Sequence, residues 1–112
     1  YGTSSMQKAV IRREFFVVGS DEEIKITISF PEMNEDGVYE STYEVAFRDK
    51  STRITVPGPS AFDVLSSVFI TIGMKIRAIM RDERLDIDFD GLPIDHLFPL
   101  PNSLRKAGNW EI

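Results

Sequence analysis

The sequence predicts an α+β domain: an antiparallel β-meander of about five strands, in the order β-β-β-β-α-β, with one long helix packed across one sheet face. Three observations carry this expectation. The first half alternates apolar and polar residues with period two, most cleanly in "IKITISF". From Ala61 the apolar spacing changes to three and four. After that stretch, "LDIDF" returns to period two. A helix with one apolar stripe and a sheet with one apolar face bury each other in a two-layer fold.

The opening run "KAVIRREFFVV" is β-branched and aromatic, hence the first strand. Both its faces are partly apolar: Ile11, Phe15 and Val17 on one, Val10, Phe16 and Val18 on the other. "GSDEE" is a turn. In the second strand Ile24, Ile26, Ile28 and Phe30 point inward, and Lys25, Thr27 and Ser29 outward. "PEMNEDG" is a polar loop of turn formers. "VYESTYEVAF" buries Tyr39, Tyr43, Val45 and Phe47, with a break of phase at Ser41. Its Glu40, Thr42 and Glu44 face water. "RDKS" turns the chain into "TRITV", where Thr52, Ile54 and Val56 share a face, and "PGPS" ends the sheet.

Ser60 is a good N-cap, and Asp63 falls in the first turn, where the helix dipole favours an anion. Leu65, Val68, Phe69, Ile72, Ile76, Ile79 and Met80 form the apolar stripe. Lys75, Arg77 and Arg81 place cations toward the carboxyl end. A helix of this length runs roughly 30 Å, enough to cross a sheet. Gly73 inside it implies close packing of helix on sheet. The tail after Gly91, rich in proline and without a period, reads as an ordered but irregular segment packing Leu97, Phe98 and Trp110 over an edge of the core.

A chain of 112 residues is expected to form one domain with its own core. "YGTSS" reads as an expression-vector remnant, with the domain spanning residues 6–112 from Met6. No signal peptide is read after Met6, and the most apolar stretch, 61–80, carries too many polar residues to span a membrane. With no cysteine, disulfides, thiol chemistry and cysteine-ligated zinc are excluded, and a cytoplasmic location is expected. The net charge of -5 disfavours nucleic acid and favours a basic partner.

The residues offer little for catalysis. "DIDFDG", from Asp86, matches the start of a calcium loop. The twelfth position, which must supply a bidentate carboxylate, is Leu97. The alternation of Leu85, Ile87 and Phe89 with Asp86, Asp88 and Asp90 reads instead as a half-buried strand closed by an Asp90-Gly91 turn. His96 is the only histidine, so a two-histidine metal site is impossible, and no G-x-S-x-G motif supplies a nucleophile. "GPS" before the helix starts that helix without need of an anion. Tyr39, Tyr43 and Phe47 read as core and not as a base-stacking platform. No catalytic residue, cofactor or metal is therefore expected. What stands out is charge: from Arg81 to His96, six acids and two bases give -4 of the chain's -5. Glu32, Glu35 and Asp36 form a second acidic cluster. Such surfaces are either solvated faces or docking sites in which carboxylates stand in for phosphates.

Three segments, "ITISFPEMNEDGVYESTYEV", "VPGPSAFDVLSSVFITIGMKIR" and the strand after the helix, resemble small, uncharacterised bacterial domains built as a meander followed by one helix. That resemblance implies no catalytic residues. In size, acidity and lack of cysteine the chain also resembles the immunity proteins of contact-dependent growth inhibition and related toxin systems. This likeness implies a cytoplasmic inhibitor that caps a toxin, often a nuclease with a basic groove.

The expected function is thus a non-enzymatic protein-binding inhibitor of a basic protein. Asp86, Asp88 and Asp90 are the leading contact residues, and Glu32, Glu35 and Asp36 the secondary ones. The alternatives are a small hydrolase or ligand-binding enzyme using His96 and nearby aspartates, and a homo-oligomeric structural module.

Overall fold

The computed structural model describes residues 10–100. The leader, the start at Met6 and the expected packing of Trp110 lie outside the described residues.

Within this range an antiparallel sheet carries one long helix on one face, as the periodicity predicts. The strands are β1 (Val10–Val17), β2 (Glu23–Ser29), β3 (Glu32–Met33), β4 (Tyr39–Phe47), β5 (Lys50–Gly58) and β6 (Ile87–Asp88). The helices are α1 (Ala61–Glu83) and the single turn α2 (Ile94–Leu97). β1, β2, β4 and β5 form the meander, each antiparallel to the next. β6 comes back after the helix to extend the sheet beside β1.

β4 pairs with β5 along one side and with β2, then β3, along the other. Between the pairs Ile28–Tyr43 and Glu32–Glu40 the β2–β3 lane holds three residues against two on β4. One extra residue is a β-bulge. Two serines satisfy the backbone there. The Ser41 hydroxyl donates to the Ser29 carbonyl at 2.6 Å, and the Thr42 N–H donates to the Ser29 hydroxyl at 2.8 Å. Ser41 therefore stays on the buried face with Tyr43, Val45 and Phe47, and the expected break of phase falls on the opposite lane. The bulge also corrects two expectations. Phe30 turns to solvent, and part of the polar loop, Glu32–Met33, is strand.

One sheet face is buried: Phe15 and Val17, Ile24, Ile26 and Ile28, Tyr43, Val45 and Phe47, with Ile87 at the edge. Against it pack Val64, Val68, Ile72, Ile76 and Met80 of α1. Phe69, expected in the apolar stripe, lies largely outside it. On β5 the core-facing Ile54 is exposed. β5 also runs on through Pro57 to Gly58, where the sheet was expected to have ended. Pro57 lacks an N–H and is tolerated because β5 is an edge strand.

Ser60 caps α1 as expected, its hydroxyl accepting from the Asp63 N–H at 3.1 Å. At the other end Arg84 adopts the left-handed conformation, φ 54°, and its N–H returns to the Met80 carbonyl. That reversal sends the chain back along the sheet edge as β6. Gly73 does mark a close approach, but not to the sheet. A Cβ there would stand 2.7 Å from the Cβ of Phe98. The tail segment 93–100 is a strap over the side of α1. Phe98 is buried against Phe15, Phe69 and Phe89, with ring centroids 6.3, 6.5 and 6.4 Å away.

Candidate functional site

Among the described residues no element packs on the second sheet face. It presents the even-numbered residues of β1, the odd-numbered residues of β2 and β5, and the intervening residues of β4. Charge on its middle is matched, within β2 and between β4 and β5. Lys25 lies 3.6 Å from Glu23, and Arg53 lies 3.8 Å from Glu44. Thr42 and Thr55 share a hydrogen bond of 2.8 Å.

The β1–β6 edge differs. Phe16 and Val18, both on this open face, are 56% and 60% exposed. Phe16 is directly opposite Glu23 on β2 and Asp88 on β6. The Val18 N–H donates to the Asp86 carbonyl at 2.9 Å, which sets Asp86 beside Val18 in the next row. Asp86 and Asp88 are exposed, while Ile87 between them is buried. The period-two reading of this stretch thus holds, although only Ile87–Asp88 pair as a strand. Phe16 escaped the sequence reading, because apolar residues on both faces of β1 left open which face is buried.

Asp90 parts from the other two aspartates. With φ 59° it forms the Asp90-Gly91 turn, closed by the bridge between Phe89 and Leu92. Its carboxylate pairs with Arg13, which projects from the buried-face side of β1. Asp88 accepts the Gly91 N–H at 3.0 Å. Among the described residues no group of three or more acidic or histidine side chains is arranged to hold a metal ion.

The second acidic cluster lies at the other end of the strands. From the level of Glu23 to Glu32 the lane runs nine residues, roughly 30 Å. Glu32 and Glu35 line a groove of about 300 Å³ together with Phe30, Met33 and Glu40. Asn34 shapes this hairpin: its side-chain oxygen accepts from the Asp36 and Val38 N–H groups at 2.9 and 3.1 Å. Glu32, Glu35 and Asp36 are exposed, but the fold does not join them to the β6 aspartates in one surface.

His96 is exposed on the single turn α2. Its neighbour Asp95 accepts a hydrogen bond from Nη2 of Arg77 at 2.6 Å. The same nitrogen donates to the Phe98 carbonyl at 2.6 Å. Arg77 is only 3% exposed, and among the described residues its Nη1 has no partner. It pins the strap to α1. This corrects its reading as a simple terminal cation of the helix. Gly73, Arg77 and Met80, at helical spacing, were the signal that Arg77 faces inward. Beside the strap, Phe69, Ile70, Leu97 and Leu100 line an apolar groove of about 480 Å³ that His96 does not enter.

No protein-family model, curated protein or solved structure matches the chain. Among the described residues no helix is long and apolar enough to cross a membrane.

At the same end of the strands as Asp86, on the helix side of the sheet, Arg48 donates to Glu22 through Nε at 2.6 Å and to Glu83 through Nη1 at 2.8 Å. It ties the β1–β2 turn, the β4–β5 turn and the end of α1 together. The hydrogen bond from Arg48 holds the Glu22 carboxyl below its ordinary range, with Coulomb attraction adding to the effect. The cluster is structural and stands apart from the open face.

Proposed function

We propose that the domain is a non-enzymatic binding protein for a partner with a basic surface. We assign it the role of an immunity protein, which neutralises a cognate bacterial toxin by covering the basic surface of the toxin's active site. A nuclease fits that role. The observation that carries the reading is the open face at the β1–β6 edge, where Phe16 and Val18 stand exposed beside Asp86 and Asp88. An apolar centre rimmed by charge is the common anatomy of a protein interface. Carboxylates on the rim attract a surface evolved for phosphates and speed its approach. The acids Glu32, Glu35 and Asp36 at the other end of the sheet are a secondary contact under this reading.

The test is co-expression with the protein encoded by the neighbouring upstream gene. The domain is expected to relieve that protein's toxicity and to bind it directly. Replacing Asp86, Asp88 and Asp90 with asparagine should slow association and remove most of the effect of salt on the on-rate. Toxicity unchanged by the domain would overturn the reading.

A further inference from the structure

Among the described residues the same kind of contact occurs twice. Arg13 lies over the Phe15 ring at 4.5 Å and pairs with Asp90. Arg48 lies over the Phe47 ring at 4.7 Å and pairs with Glu22 and Glu83. In each, a guanidinium rests on a phenylalanine face while one carboxylate or two take its N–H groups. The two attractions reinforce one another, because a planar cation can stack and donate sideways at once.

Phe16 carries the same components without the cation. Its direct neighbours on either side are the carboxylate-bearing Glu23 and Asp88. Its ring is more than half exposed, and among the described residues no cation stands over it. Asp88 has one oxygen engaged by the Gly91 N–H, and among the described residues the second takes no hydrogen bond. Glu23 also faces Lys25 at 3.6 Å, and the lysine end of that pair is well exposed, so the contact contributes little.

Resting on the protein-docking reading above, we infer that Phe16, Glu23 and Asp88 form a receptor for one arginine side chain of the partner. The guanidinium lies on the Phe16 ring and donates to both carboxylates, with Val18 against its aliphatic stem. Arginine is favoured over lysine by geometry. The lysine ammonium is a compact, strongly hydrated charge that cannot lie flat on a ring and bridge two carboxylates.

The experiment is a fluorescence-anisotropy titration of the full chain with labelled hexa-arginine and hexa-lysine peptides. Hexa-arginine is expected to bind roughly two- to fivefold more tightly than hexa-lysine, the range of a cation–ring contact at an exposed site. Phe16→Ser and Phe16→Leu should both abolish that preference. Leucine keeps the apolar bulk and removes the ring face, so it covers the case in which serine disturbs the fold. Phe62→Ser, at the exposed start of α1, should leave the preference intact. Equal affinities for the two peptides, weakened alike by the Asp86→Asn/Asp88→Asn variant, would overturn the arginine receptor and leave the docking reading standing. A preference that survives in both Phe16 variants would overturn the receptor as well. Binding of neither peptide would remove both.

Discussion

Gly73 of α1 and Phe98 of the strap meet where only a glycine fits, since a Cβ on Gly73 would stand 2.7 Å from the Phe98 Cβ. Alanine at this position would normally help a helix, by up to about 1 kcal/mol. Here it must displace the strap, and overpacking costs about 1–3 kcal/mol. Gly73→Ala is therefore expected to lower stability in urea unfolding by roughly 1–2 kcal/mol. A gain in stability would show that the strap yields freely.

Arg77 and Asp95 form an asymmetric pair: the guanidinium side is buried, the carboxylate side half exposed. Removing the carboxylate leaves a buried cation with the Phe98 carbonyl as its main acceptor. Replacing the arginine with a long apolar chain removes that charge. Asp95→Ala is thus expected to cost about 1–3 kcal/mol, and Arg77→Met less. Urea midpoints in the reverse order would place the stabilisation in Arg77's charge itself.

Glu22 supplies a pH dependence. Its folded-state carboxyl is lowered, chiefly by the hydrogen bond from Arg48. A lowered carboxyl contributes stability above its unfolded value, about 4.3 for glutamate, and loses it as pH falls through the folded value. Glu22→Gln is expected to melt below the unmodified protein at neutral pH. The two should converge once the pH lies below the lowered folded value. Melting curves that stay separated to the acid limit would contradict the assignment.

The bulge can be probed through Ser41. Its hydroxyl donates to the Ser29 carbonyl inside the sheet, so Ser41→Ala leaves a shielded acceptor unpaired. The expected loss is about 1–3 kcal/mol by chemical denaturation. A neutral result would mean that water reaches that carbonyl.

Calcium should leave the melting temperature unchanged. A ligand that binds the native state raises it by mass action. Asp88 is committed to the turn and Asp90 to Arg13, so the aspartates do not converge. A rise of several degrees on adding calcium, lost in the Asp86, Asp88 and Asp90 triple asparagine variant, would reverse this conclusion.

The meander and α1 were legible because each carries its period in adjacent residues, as in Ile24, Ile26 and Ile28 or Ile72, Ile76 and Met80. The bulge was not, since it exists only in the pairing of Ser29 with Ser41. The strap has no period, and three aromatic contacts and Arg77 hold it in place. At the candidate site, negative charge around β6 could be read from composition. The separate direction of Asp90 depends on a left-handed turn. The prominence of Phe16 depends on which side of β1 is covered, a choice made by the rest of the fold.

That one-sided cover has a consequence for how the molecule can change over generations. Along β1, residues that hold the core alternate with residues that meet the outside, one position apart. Substitutions at exposed positions such as Arg12 or Asp86 usually shift stability by about 0.5 kcal/mol or less in either direction. The outward half of each strand is therefore free to diversify while the inward half stays fixed. Two descendants of this chain can keep the same architecture and yet differ at every second residue of a strand, presenting unlike outer surfaces on one scaffold.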